Sequence, residues 1–236
     1  MPVVELEGVA RTFTSGDAAV RALHGISLQV GRGELVVLMG ASGSGKTTLL
    51  SLVGGLDRAD AGAVRVLGED LGRLPERQLA RRRLTTVGFV FQELNLLPEL
   101  TLEENVSLPL EGAGVPRAAA RTAARQALAE VGLDGTARRY PDEISGGQQQ
   151  RVAIARAVVG DRRLVLADEP TGSLDSATGA EIMMLLRRLC DAGATVLLST
   201  HNPANAAFAD RIVHLKDGAL VRIEQPPAPA RREGAQ

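Results

Sequence analysis

Residues Gly40 to Thr48 read GASGSGKTT, and directly before them stands the apolar run LVVLM at Leu35–Met39. That order dictates local architecture. A strand delivers the chain to a loop too glycine-rich to be regular, and a helix follows. Gly40, Gly43 and Gly45 permit backbone angles that side chains forbid. Successive N–H groups then converge on one point, and the positive end of the helix adds to them. Such a nest suits phosphate oxygens. In it Ser42, Gly43, Ser44 and Gly45 face the phosphates, Lys46 reaches the β- and γ-groups, Thr47 offers a hydroxyl to Mg²⁺, and Thr48 touches the α-phosphate. The loop alone does not separate a kinase, a GTPase, a helicase or a transporter motor.

The remaining composition is compatible with one large α/β unit. The chain has 236 residues, 44% hydrophobic and 23% charged, enough for a sizeable core. The formal net charge of −1 provides no general attraction to nucleic acid or anionic lipid. A single cysteine, Cys190, cannot close an internal disulfide, which fits a reducing cytoplasm; on its helix it is expected to pack. The opening MPVVELEG is acidic where a signal peptide is basic, and no apolar run approaches the roughly 18 residues of a membrane span. Any membrane role therefore needs a partner.

Short β-rich runs alternate with helical patterns, the signature of a mainly parallel sheet covered by helices. Buried strands are expected at 35–39, 164–167 and 195–199. Alternating runs at 27–30 and 63–67 point to a smaller antiparallel sheet. Between Glu93 and Val159 strand signals fade. Pro116 opens a helix with Arg117, Arg121 and Arg125 on one face and Ala120, Ala124, Ala127 and Val131 on the other, ended by Gly132. Ser145 to Gln148 is a capping box opening another helix. These features describe a helical lobe inserted into the α/β core. A further helix spans 176–192, Lys216-Asp217-Gly218 forms a hairpin turn, and residues 225–236, rich in Pro, Ala and Arg, are expected to form a disordered tail.

Two more motifs follow the glycine loop. LVLADEP, Leu164 to Pro170, ends an apolar strand in paired carboxylates. A strand end can deliver Asp168 to Mg²⁺ and Glu169 to an attacking water as general base. Ile144 to Gln148 reads ISGGQ, and a helix N-terminus built from Ser145, Gly147 and Gln148 makes an anion site.

Taken with the following QQRVAIARA, this segment resembles the signature of ABC-type ATPases, the nucleotide-binding domains of ATP-binding cassette transporters. Ile144 departs mildly from the usual leucine. The resemblance extends from Val3 to about Ile223. It implies a P-loop NTPase (RecA-like) α/β core with a small antiparallel β subdomain and an inserted α-helical subdomain, about 93–159, within one domain spanning 1–224. It further implies that the signature helix of one subunit faces the γ-phosphate held by another, so that two copies close on two Mg-ATP as a homodimer. Gln92 matches the glutamine that touches Mg²⁺ and faces the membrane partner. His201 matches the switch histidine at the γ-phosphate, and Phe13 falls where a ring stacks on adenine, a core role remaining open. Asp175 matches a residue that crosses to the other subunit, and it equally suits an N-cap. Asn202-Pro203 reads as a cap and first helical residue where relatives have Asp.

GGLD at 54–57, FQELNLLPELTLEENVSLPL at 91–110 and TGSLD at 171–175 are similar to the branch serving macrolide exporters, lipoprotein-releasing systems and a cell-division complex. That similarity implies an integral-membrane permease partner, a peripheral position on the cytoplasmic face of the membrane, and no nucleic acid. Leu94, Leu96, Leu97 and Leu100 either dock this partner or pack within the helical lobe. The alternatives are an ATPase that regulates cell-wall remodelling without transport, a soluble ABC ATPase, and a small-molecule phosphotransferase.

Overall fold

The computed structural model describes residues 1–15 and 18–226; the expected tail lies outside them from residue 227 onward. The elements run β1 (Val4–Ser15), β2 (Ala18–Val30), β3 (Leu35–Met39), α1 (Lys46–Val53), β4 (Ala61–Val66), β5 (Glu69–Asp70), α2 (Glu76–Thr85) and β6 (Val87–Val90). Then come α3 (Leu102–Gly112), α4 (Arg117–Glu130), α5 (Gly146–Val158), β7 (Leu164–Asp168), α6 (Ser176–Asp191), β8 (Thr195–Thr200), β9 (Arg211–Lys216) and β10 (Ala219–Glu224).

Two sheets organise these elements. The larger has the order β10-β9-β3-β8-β7-β6. All its pairings are parallel except β10 with β9. The smaller is antiparallel, ordered β2-β1-β4-β5. Its strands extend well beyond the expected runs: β1 and β2 form a long bulged ribbon. Because strand side chains alternate in direction, β3 feeds both faces of the larger sheet. Leu35 and Val37 enter a core shared with α3 to α6, while Val36 and Leu38 enter one shared with α1 and the antiparallel sheet. This two-sided burial explains the unbroken apolar strands.

The segment between β6 and β7 is helical. Thr101 caps α3 through a reciprocal box with Glu104, a T-x-x-E signal not singled out in the sequence. The arginine face of α4 is not simply solvated. Arg125 meets Glu103 at 2.9 Å, Arg117 meets Glu104 at 3.3 Å, and Arg121 also pairs with Glu104. These pairs fix α4 against α3. The alanine face is buried. Leu94 and Leu96 pack on the core, the second of the two expected roles, while Leu97 stays exposed. Cys190 is buried, and desolvation pushes its thiol up to about 11.

Candidate functional site

The glycine loop leaves β3 at the carboxyl end of the parallel sheet, and α1 begins at Lys46. Gly45 adopts φ 98°, and a Cβ there would lie 2.6 Å from Ala22 O. A Cβ on Gly40 would lie 2.5 Å from Ser44 Oγ and run into Leu215 O. The loop is thus wedged between β2 and the β9–β10 turn, whose Gly218 N–H donates to Ser44 O at 3.2 Å. Lys46 Nζ folds into the loop, donating to Gly40 O at 2.8 Å and Ala41 O at 3.0 Å. Among the described residues it has no carboxylate partner. The ammonium is therefore held at the loop by neutral carbonyls, which leaves its charge available to an anion.

A cleft of about 510 Å³ opens above the loop. Ser42, Gly43, Gly45, Lys46, Thr47 and Thr48 form its floor. Gln92, Asp168, Glu169 and His201 reach it from the ends of β6, β7 and β8, and Val20 to Ala22, His24 and Asp217 form the far wall. Parallel order at the sheet centre places these strand ends together: Asp168 is in register with Ser199. Gly40 and Ser44 sit behind the floor, outside the lining, with Ser44 Oγ buried and unpartnered.

Glu169 takes φ 45°, an uncommon conformation for a non-glycine residue and one that concentrates at functional sites. Its carboxylate is mostly buried, and Oε1 lies 2.9 Å from Nδ1 of the exposed His201. The Ser199 hydroxyl, fully buried, donates to Asp168 Oδ1 and accepts Glu169 N–H at 3.3 Å. Ser199 was not anticipated. The polar Ser-Thr pair closing an otherwise apolar strand was its only signal.

The ISGGQ segment lies apart from this cleft. Ser145 caps α5, its Oγ accepting from Gln148 N at 3.3 Å while Gln148 Oε1 accepts Ser145 N–H at 3.0 Å. Ser145 and Gly146 are exposed, Gly147 and Gln148 half-buried, and none lines the chain's own cleft. Asp175 caps α6, accepting from Ala177 N, Thr178 N and, at 2.6 Å, Thr178 Oγ1. The Thr178 hydroxyl holds its carboxyl below the usual range. Phe13 is not brought to the cleft lining: its half-exposed ring carries the Arg11 guanidinium 4.8 Å from its centroid, and the strand opposite, β2, supplies the wall instead. A second unanticipated residue is Arg156 on α5. It donates to Leu94 O and Asn95 O, both at 2.6 Å, just beyond Gln92. Arg162 in turn donates to the Arg156 carbonyl and to Leu84 O. Burial, with Arg156 beside it, lowers Arg162 to about 10.

Comparison with known proteins adds to this geometry. A family model described as ABC transporter matches residues 23–172. The macrolide export ATP-binding/permease protein MacB of Shigella flexneri is 46% identical over 227 residues, 96% of this chain and 35% of that protein. Its counterpart in Azoarcus sp. strain BH72 is 45% identical over 235 residues, 100% of this chain and 35% of that protein. The chain thus spans about a third of the length of these curated relatives. The dimeric structure of MJ0796, a bacterial ABC transporter cassette, superposes with a TM-score of 0.86 at 41% identity, covering 94% of this chain and 98% of that one. A post-hydrolysis state of the same cassette bound to ADP and Pi gives the same values.

Proposed function

This chain belongs to the ABC transporter family as an ATP-binding, ATP-hydrolysing domain, and from that premise we propose that two copies close head to tail around two Mg-ATP to drive a membrane permease. The observation that carries this reading is that the cleft and the α5 N-terminus, each suited by its chemistry to an anion, lie apart on one chain. The cleft holds Lys46, Thr47 and Asp168, while the α5 N-terminus, with Ser145 exposed and Gly147 half-buried, lies outside its lining. A second copy supplies to each cleft what its own chain presents elsewhere.

Within one closed site, the loop amides and Lys46 bind the β- and γ-phosphates, and Thr48 the α-phosphate. Thr47, Gln92 and Asp168 present only oxygen donors, a set suited to Mg²⁺, which keeps water and phosphate among its ligands. When bound, Mg²⁺ polarises phosphoryl oxygens as a Lewis acid. Glu169 orients a water and takes its proton, and His201 steadies Glu169 and the γ-phosphate. Ser145, Gly147 and Gln148 of the other copy complete the charge stabilisation. Val20 to Ala22 line one wall of the cleft, and Phe13, whose ring would stack on the base by the family resemblance, stands on the paired strand beside it. Span 1–224 acts as one domain, and 93–159 as its inserted helical part. Leu97 and its neighbours receive the permease.

No helix among the described residues is long and apolar enough to cross a membrane. We propose a peripheral position on the cytoplasmic face, held through the permease. MacB proteins carry ATP-binding and permease functions under one name, which favours export as the work performed. The test is Glu169→Gln. Removing a general base costs about 10²–10⁴ in rate, so the variant is expected to bind Mg-ATP, dimerise in light scattering, and hydrolyse ATP at least a hundredfold more slowly. A monomer at saturating Mg-ATP would end the sandwich proposal. Near-native turnover would end the assignment of Glu169.

A further inference from the structure

Behind the Glu169–His201 pair two loops run side by side. One leaves β7 through Glu169 and reaches Thr171 two residues later; the other leaves β8 at Thr200 and continues into His201. Glu169 N–H to Ser199 O, at 3.1 Å, is the last backbone hydrogen bond between them among the described residues. Beyond it, apart from the Glu169–His201 contact itself, one side chain ties the loops by hydrogen bonds among the described residues. Asn205, in a short 3₁₀ turn spanning Pro203–Phe208, donates from Nδ2 to Thr171 Oγ1 at 2.9 Å and to Thr200 Oγ1 at 3.1 Å. The Thr200 hydroxyl also accepts Asn202 N–H at 3.1 Å. The turn itself is fixed by Asn202, whose side chain accepts Ala204 N–H at 3.0 Å.

All three bridged side chains are buried: Asn205 is 4% exposed, Thr171 8% and Thr200 0%. A buried amide contributes little net stability over an apolar filler of the same shape. What it adds is a single allowed arrangement, because any shift of either loop leaves buried polar groups unpaired. The arrangement matters here because Glu169 stands at φ 45°, a conformation that relaxes unless both flanks are held. Ser199 holds the upstream flank through Asp168 Oδ1 and Glu169 N. Asn205 holds the downstream flank through Thr171 and, through Thr200, the residue before His201.

We infer that Asn205 is a positioning residue for hydrolysis, a buried tie between the loops bearing Glu169 and His201 that keeps their side chains in contact. The inference rests on the reading of these two residues as the hydrolytic pair. Asn205 reaches no nucleotide and acts through geometry alone.

A double-mutant cycle on the full chain tests it, by steady-state ATP hydrolysis with Mg-ATP varied. Asn205→Ala is expected to lower kcat by about tenfold, as small misplacements of reacting groups do, with KM within about twofold of the parent. In a His201→Ala background the same change is expected to cost no more than about twofold, since the contact it protects is already lost. Thr171→Val keeps shape and removes one acceptor; it serves as a second variant should Asn205→Ala fold poorly, with a smaller loss of about threefold showing the same background dependence. An equal loss in both backgrounds would mean that Asn205 only supports the fold, and would overturn the inference while sparing the hydrolytic pair. A His201→Ala chain with parental kcat would overturn that reading and the inference with it.

Discussion

The signature helix lies so close to the sheet that one methyl group can move it. Gly88 in β6 faces α5 at Ala157. A Cβ built on Gly88 would stand 2.6 Å from Ala157 C and 2.8 Å from its Cα, with the carbonyl oxygen closer still. Carbon pairs settle at about 3.5–4.0 Å, so Gly88→Ala requires helix and strand to part by about 1 Å. Both partners are backbone, so no rotamer change relieves the overlap. Overpacking typically costs about 1–3 kcal/mol, and this site belongs at the upper end. Ala regains roughly 0.5–1 kcal/mol over Gly in a strand, leaving a net loss of about 2 kcal/mol. For a domain of this size that corresponds to a fall in Tm of about 4–8 °C, measured by differential scanning calorimetry. Gly146→Ala is the matched control: its Cβ meets nothing within 4 Å and its φ is ordinary, so Tm is expected to hold or rise slightly. ATP turnover, measured well below the transition, is expected to fall in Gly88→Ala, because α5 carries the Ser145 cap at its tip. A Gly88→Ala chain melting within about 1 °C of the parent would refute the claim that α5 is seated against β6 by backbone contact.

Other outcomes follow from particular contacts. Phe13 stands outside the cleft lining, so Phe13→Ala should leave KM for ATP within about threefold; base–aromatic stacking is worth about 1–3 kcal/mol per base, so a rise of about fivefold or more would put that ring on the base. Arg156→Met strips the donors from Leu94 O and Asn95 O at a cost of about 1–3 kcal/mol, to be read as a lower Tm in thermal melts. Asp175 has its carboxyl depressed in the fold by the Thr178 hydroxyl. Its stabilising effect is therefore complete above the unfolded carboxylate pKa of about 3.9 and lost as pH falls through the lower folded value. The Tm difference between parent and Asp175→Ala should stay constant from pH 5 to 8 and close in stronger acid. With its thiol near 11 and its side chain buried, Cys190 should not react with a thiol reagent at pH 7.5 until the chain is unfolded.

Much of this protein was legible because its motifs are local. A glycine loop between an apolar strand and a helix, a capping box at Ser145, and two carboxylates closing LVLADE each depend on neighbours within a few residues. Local chemistry therefore fixed the strand–loop–helix unit, the start of α5, the cap at Asp175 and the turn at Asp217. The sequence was less informative where function depends on contacts between distant segments. Ser199 stands beside Asp168 only because β7 and β8 pair in parallel register. Arg156 meets the loop after Gln92 across 61 or 62 residues, and Asn205 meets Thr171 across 34. Phe13 falls where the family resemblance implies a ring on adenine, yet its place outside the cleft lining and under Arg11 could be read only from the fold. Residue types and short spacings determined which chemistry the chain can perform. The packing of strands and helices decided which side chains stand close enough to perform it, since hydrogen bonds act over about 3 Å and segments distant in sequence come that near only through the fold.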